Sequence, residues 1–198
     1  MLFRSEPYAD LVAHELATGC PGVRSVHACV LRPCTDPVRR RDGGRRRAHR
    51  HTPVAAVRAA ITADAVRRDV AELSSDDMGG RYFRSPFAEK AAAWISKRFD
   101  AIGLAHGAGT DTYRQPIDPD PATGPNLIAR LDPPAGADRA AGTIIVSAHY
   151  DHLQPKNDGA NRIYNGADDD ASGIAGVLGV ARAMKALAAD GKIGRAHV

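Results

Sequence analysis

Apolar residues recur at helical spacing in three stretches of the chain. The first begins behind Thr62, which can act as an N-cap, and the second covers 86–102 and is followed by Gly103, a residue suited to ending a helix. The third covers about 171–189. The predicted buried faces are Val66, Val70 and Leu73 in the first helix, Phe87, Ala91, Trp94, Ile95, Phe99 and Ile102 in the second, and Ile174, Val177, Leu178, Ala181, Met184 and Leu187 in the third.

Short apolar runs between these helices predict strands. Residues 126–131 form one such run, and residues 143–148 form a nearly continuous apolar run that is typical of a strand buried on both faces of a sheet. Residues 105–125 are rich in Gly, Pro and Asp, and predict loops with a short strand near 113–117. The order of elements predicts an α/β domain with helices packed on a mostly buried sheet.

Charge separates the front of the chain from the rest. Residues 1–53 hold ten arginines against five acidic residues, whereas the remainder is nearly neutral, so the net charge of +4 comes from the front segment. The arginine block at 39–47 predicts disorder. A nucleic-acid-binding function would rest on residues 39–50 alone, and the folded region gives it no support.

Both ends of the chain differ in character from its middle. We interpret 1–53 as a basic segment that is disordered or artefactual, and 193–198 as a non-native tail. Together they suggest the translation of a short DNA fragment, in which the folded domain is cut short at its C-terminal side. No signal peptide is visible, and no run reaches the length of a membrane span.

Candidate chemistry begins where the second apolar run ends. Polar side chains at the carboxyl end of a buried strand mark a site in α/β sheets, and this strand is followed by His149, Tyr150, Asp151 and His152. Residues two apart in a strand share a face, so Asp151 can orient the imidazole of His149 by holding one ring nitrogen. Taken alone, this pair would favour an ordinary strand end at the surface.

Three adjacent carboxylates, Asp168, Asp169 and Asp170, precede the third predicted helix. Their mutual repulsion calls for a cation or a helix N-terminus. A solvated acidic cap remains the alternative, but the combination of histidine and carboxylates favours zinc.

The motifs His149-Tyr150-Asp151-His152-Leu153 and Tyr164-Asn165-Gly166-Ala167-Asp168-Asp169-Asp170-Ala171-Ser172-Gly173 closely resemble those of the M28 family of zinc peptidases. The stretch Leu73–Arg81 resembles an earlier motif of that family, and the similarity covers roughly residues 58–191. The resemblance implies a three-layer zinc-peptidase-like domain with a mixed sheet flanked by helices.

The resemblance also implies roles for single residues. His149 would be a terminal ligand of one zinc ion, Asp169 would bridge two zinc ions, and Asp151 would orient His149 during catalysis. The peptide bond between Asp169 and Asp170 would be cis. The activity implied is that of an aminopeptidase, in which two zinc ions activate a water that hydrolyses the N-terminal peptide bonds of peptides or proteins.

Family members carry a pair of glutamates, and then an aspartate and a histidine, beyond the third helix. Here Asp190 is the only acidic residue after Asp170, and His197 lies in the suspect tail. We therefore expect this polypeptide to be inactive and to bind zinc weakly. The resemblance favours a secreted or periplasmic protein.

Two further functions fit the same motifs. Some members of this fold are non-catalytic binding or scaffold domains, although the presence of His149, Asp151 and Asp169 argues against that here. A glutaminyl cyclase-like acyltransferase, which uses one zinc ion on the same scaffold, is the other.

Overall fold

A computed structural model describes residues 52–107, 110–116, 124–132 and 144–189, together with the backbone of residues 25–31. Within these ranges helices and strands are mixed, as expected for an α/β domain. The helices are α1 (Thr52–Ala60), α2 (Ala63–Leu73), a short 3-10 helix (Asp76–Arg81), α3 (Pro86–Ile102) and α4 (Ser172–Ala189). Helices α2, α3 and α4 confirm the three predicted helices, whereas α1 was not predicted and packs against α4.

The predicted helix ends are confirmed. The side-chain oxygen of Thr62 accepts a hydrogen bond of 3.2 Å from the backbone N–H of Ala65, and so caps α2. Gly103 ends α3 with a φ of 75°, and its N–H donates to the carbonyls of Phe99 and Asp100. Glycine tolerates this left-handed conformation, which explains its place here.

Five strands form one mixed sheet: β1 (Ser25–Leu31), β2 (Ala105–His106), β3 (Arg114–Gln115), β4 (Asn126–Leu131) and β5 (Ile144–His149). The order is β2-β4-β1-β5, and β3 also pairs with β4. Strand β1 runs parallel to β4 and antiparallel to β5. Helices α3 and α4 pack on this sheet, and α2 packs on α4. The three-layer arrangement of a complete zinc peptidase stays a prediction.

Strand β1 lies inside segment 1–53, for which disorder was predicted. At these seven residues the structure differs from that prediction. Arginine composition dominated the prediction, while the short sequence Ser-Val-His-Ala-Cys-Val-Leu carries the β-branched and apolar residues that strands favour. Residues 1–24, 32–51 and 190–198 lie outside the described residues. The domain boundaries and the origin of the two ends therefore stay predictions.

Two predictions of burial are wrong. Phe87, placed in the core by its spacing, is 38% exposed at the start of α3. Strand β5 was expected to be buried on both faces, yet Ile144 and Ile145 are 46% and 38% exposed. Among the described strands, β5 has a neighbour on one side, because it pairs with β1 at the edge of the sheet. An edge strand leaves part of its apolar surface uncovered.

Most of the rest of the predicted core is confirmed, with Val70, Trp94, Ile102 and Met184 half-buried against it, whereas Val66 is half-buried and lies outside this cluster. The buried cluster joins α2, α3, α4 and the sheet, and its largest fully buried apolar members are Leu73, Ile95, Phe99, Leu127, Ile174 and Leu178.

The segment Ala167–Ala189 is long and apolar enough to cross a membrane, by length and composition alone. Half of its apolar window is buried inside the structure, and the core helix of a soluble domain meets the same criterion.

A buried carboxylate connects three of the helices. Asp69 in α2 is 3% exposed, and its Oδ2 lies 2.7 Å from Nη1 of Arg182 in α4. Its Oδ1 lies 3.7 Å from Nε of Arg98 in α3. A buried charge requires such partners, so this ion pair fixes how α2 and α4 pack.

Tyr113 offers a test of the packing between α3 and the sheet. Its hydroxyl lies 3.0 Å from both the carbonyl of Leu104 and Oδ1 of Asp100, and burial, with the Asp100 carboxylate, raises the pKa of Tyr113 to about 12. We expect Tyr113→Phe to lower the free energy of unfolding by about 1–2 kcal/mol, because the buried carbonyl of Leu104 loses its donor and the carboxylate of Asp100 loses a hydrogen bond. Urea denaturation measures this change, and an unchanged midpoint would contradict the described contacts.

Candidate metal centre

The ring of His149 lies between two aspartates. It stands at the end of β5, where Nδ1 lies 3.0 Å from the carbonyl oxygen of Asp151 and 3.6 Å from its carboxylate oxygen Oδ1. On the other side of the ring, Nε2 lies 2.9 Å from Oδ1 of Asp169. Both neighbours of Nδ1 are acceptors, so Nδ1 carries a proton and donates it. Nε2 is consequently the ring nitrogen that faces the second motif.

Asp151 and Asp170 set the charge of this ring. The Asp151 side chain raises the pKa of His149 most strongly, and burial opposes it. The carbonyl and the charge of Asp151, together with the charge of Asp170, raise it further, so that the pKa of His149 is about 9. In this state His149 is protonated near neutral pH, and Nε2 forms an ion pair with Oδ1 of Asp169 at 2.9 Å.

Asp169 and Asp170 play different parts, although they are adjacent. They lie in an irregular turn, Ala167–Ala171, that leads directly into α4, and the peptide bond between them is cis, as predicted. Asp169 is 64% exposed at its side chain and faces His149. Asp170 instead accepts hydrogen bonds from the backbone N–H of Gly173 (2.9 Å) and of His149 (3.3 Å). Its carboxylate therefore joins the end of β5 to the start of α4.

His152, which was not among the predicted site residues, lies beside Asp169. Its side chain is 9% exposed, and Nδ1 lies 3.5 Å from Oδ2 of Asp169. Burial lowers the pKa of His152, against the charge of Asp169, which raises it. The ring also stands edge-on to Tyr164, with centroids 6.3 Å apart. Two histidines thus flank the two oxygens of Asp169.

Arg81, at the end of the 3-10 helix, is the largest fully buried side chain described, at 1% exposed. Its guanidinium donates to backbone carbonyls in both motifs, including those of Tyr150 (2.9 Å) and Gly166 (2.9 Å). No role for Arg81 was predicted beyond its place in a family-like stretch. The signal in the sequence is weak: one arginine behind two glycines, about 70 residues before the first motif.

Close packing leaves room only for glycine at the turn into the site. Gly166 has a φ of 59°, and a Cβ atom there would lie 2.6 Å from Nη2 of Arg81 and 2.8 Å from Cδ2 of His152. It would also collide with the carbonyl oxygen of Asp169. Contacts below 3.0 Å with backbone and packed rings force a shift, so the geometry of the site depends on this residue.

The structure thus brings together the three predicted site residues, His149, Asp151 and Asp169. An imidazole nitrogen and a carboxylate oxygen 2.9 Å apart, with the other ring nitrogen held by Asp151, suit zinc in chemistry. Within the described ranges no group of three or more His, Cys, Asp or Glu side chains is arranged to hold a metal ion. The donors fit zinc as part of a ligand set, and the described residues do not complete that set.

Comparison with known proteins gave a family match. The profile of Peptidase family M28 matches residues 126–193, which run from β4 through both motifs and α4. No curated protein and no solved structure matched the chain. The matched region is about a third of the chain and contains every residue of the two motifs.

Proposed function

We propose that this chain is part of a zinc-dependent aminopeptidase. Its residues 126–193 match the model of peptidase family M28. The family match supports a peptidase, and hence a hydrolase. Aminopeptidase specificity, the use of two zinc ions and the roles of single residues are the further content of the proposal. The observation that carries it is the pair formed by His149 Nε2 and Asp169 Oδ1 at 2.9 Å.

The contacts around this pair support the assigned roles. His149 and Asp169 would hold zinc, because Nε2 and Oδ1, which form an ion pair with each other in this structure, are the two ligand atoms that one ion would require. Asp151 holds Nδ1–H of His149, which keeps Nε2 available as the ligand atom. When bound, zinc supplies a Lewis acid that activates water and polarises a peptide carbonyl.

Asp170 and Arg81 support this arrangement through hydrogen bonds to the backbone. The carboxylate of Asp170 accepts hydrogen bonds from backbone N–H groups, so it holds the turn in place and leaves Asp169 as the ligand.

The proposed substrates are the N-termini of peptides or proteins. Nucleic acid is not a proposed partner, because the charge of the folded region is nearly balanced.

The general base is not assigned in this chain. Family resemblance places it in a glutamate pair beyond the third helix, and the printed sequence has no glutamate after Glu89. We therefore propose that this chain alone binds zinc weakly and does not turn over aminopeptidase substrates.

Zinc titration tests the ligand assignment. We expect His149→Ala to weaken the zinc affinity of the full chain by at least tenfold, because a ligand is lost. His106→Ala serves as the matched control, since His106 lies in β2 with its ring 4.4 Å from Tyr113. Competition against a chromophoric chelator, with cobalt as a spectroscopic substitute, measures both affinities.

Three outcomes of this experiment would count against the proposal. Equal affinities for the two variants would exclude His149 as a ligand. A wild-type chain that binds neither zinc nor cobalt would favour a non-catalytic binding domain. Steady release of nitroaniline from an aminoacyl-nitroanilide by the chain alone would contradict the proposed inactivity.

A further inference from the structure

Arg81 connects three separate segments through their backbones. Its Nη1 donates to the carbonyl of Leu73 at the end of α2 (2.5 Å) and to that of Asn165 (2.7 Å). Its Nε donates to the carbonyl of Tyr150 (2.9 Å), between His149 and Asp151. Nη2 completes the set, with the carbonyls of Gly166 (2.9 Å) and Asp169 (3.4 Å) as acceptors.

The guanidinium is the one side-chain group suited to donating hydrogen bonds to several carbonyls at once. It presents five N–H donors in a rigid plane, whereas a lysine presents three donors from a single point. Burial lowers the pKa of Arg81, while the charges of Asp151, Asp169 and Asp170 raise it. An arginine stays protonated in proteins, so a permanent positive charge lies behind the carboxylates of the site.

The backbone around Arg81 is shaped to bring its side chain inward. Gly79, Gly80 and Arg81 have consecutive positive φ values of 54°, 76° and 57°. For a residue with a Cβ atom this conformation is uncommon and is retained where the surroundings require it. The carbonyl of Arg81 also accepts a hydrogen bond of 3.2 Å from the N–H of His152. Arg81 therefore holds the first motif by both its side chain and its backbone.

We propose that Arg81 is a positioning residue, which fixes the segment carrying His149 against the segment carrying Asp169 before any metal binds. The geometric part of this inference stands on the hydrogen bonds alone. Its consequence for zinc rests on the proposed function. Without the guanidinium, five carbonyls would lose a charged donor and the two segments would lose their shared anchor.

Hydrogen exchange of the metal-free full chain tests the geometric part. We expect Arg81→Lys to raise the exchange rates of residues 150–152 and 165–170 at least tenfold, with little change in the centre of α3. Arg182→Lys is the matched control, because Arg182 also pairs with a buried acceptor but contacts Asp69 away from the site. Unchanged exchange in both segments, or an equal increase throughout the chain, would overturn the proposal.

A measurement on the wild-type chain decides the question if Arg81→Lys does not fold. NMR can follow exchange of the arginine Nε–H protons one by one. We expect the Nε–H of Arg81, buried on the carbonyl of Tyr150, to exchange at least a hundredfold more slowly than that of Arg67, whose side chain is 77% exposed. Exchange of the two at the same rate would overturn the proposal.

Zinc affinity then tests the consequence for the site. Loss of a group that holds ligands in place typically costs 10–100-fold in metal affinity. We expect a loss of that size in Arg81→Lys and none in Arg182→Lys. Equal affinities in wild type and Arg81→Lys would overturn the positioning role. If the wild-type chain binds no zinc, the proposed function fails, while hydrogen exchange still decides the role of Arg81.

Discussion

Gly166→Ala is expected to destabilise the chain by about 3 kcal/mol and to abolish measurable zinc binding. A left-handed backbone costs a residue with Cβ about 1–2 kcal/mol, and forcing an extra methyl group into a packed site adds about 1–3 kcal/mol. The added atom would meet Arg81, His152 and the backbone of Asp169. Those are the groups that set the distance between the two motifs, so stability and metal affinity should fall together.

Gly159→Ala is the matched control for this variant. Gly159 has a φ of 86°, in the same loop that leads to the site, and a Cβ atom there would have no atom of the described residues within 4 Å. We expect this control to lose about 1–2 kcal/mol from the backbone alone and to keep its zinc affinity. Denaturant unfolding and chelator competition measure both properties. Equal losses for the two variants would show that backbone conformation, and not packing, determines the effect.

Zinc affinity is expected to rise about tenfold per pH unit up to about pH 9 and to level off above it. Metal binding requires a neutral imidazole, and the pKa of His149 is raised to about 9, so zinc must displace a proton at lower pH. Between pH 7 and pH 9 the expected gain is about a hundredfold. Titration in a metal-buffered solution at half-unit pH steps measures it.

The stability of the metal-free chain should change in the opposite direction. A folded-state pKa above the unfolded value means that protonated His149 stabilises the fold below about pH 6.5, and that this contribution is lost as the pH rises through 9.

Asp151→Asn is the variant that tests the cause of the pH dependence, because the Asp151 side chain is the main cause of the raised pKa of His149. The pH at which zinc affinity levels off should then move to lower values. A zinc affinity that does not change with pH in the wild-type chain would contradict the described geometry. So would the same pH dependence of zinc affinity in Asp151→Asn and in the wild-type chain.

Local signals made much of the fold predictable. Thr62 and Gly103 act on backbone groups within four residues of themselves, so the ends of α2 and α3 can be read from the sequence. The exposure of Ile144 could not be predicted in the same way. Its apolar run predicts a strand, but the burial of that strand depends on which neighbours pair with it and cover it.

The candidate site likewise contains residues that the sequence predicts and residues that it does not. The proximity of His149, Asp151 and Asp169 was predictable, because their motifs resemble those of a known family. Arg81 was not, since its acceptors lie between 8 and 88 residues away and are carbonyls, which every residue has. The proximity of His152 to Asp169 likewise depends on the path of the loop between the motifs.

The double hydrogen bonding of Asp170 has a consequence for how such a domain can diversify. One carboxylate ties the end of β5 to the first turn of α4, and Arg81 ties the flanking carbonyls. The ends of the loop between His152 and Asn165 are thereby held independently of what the loop contains. Lengthening a loop whose ends are already fixed costs little free energy, because closure entropy grows only slowly with length. We therefore expect this loop to accept insertions and new sequences while the positions of His149 and Asp169 stay constant.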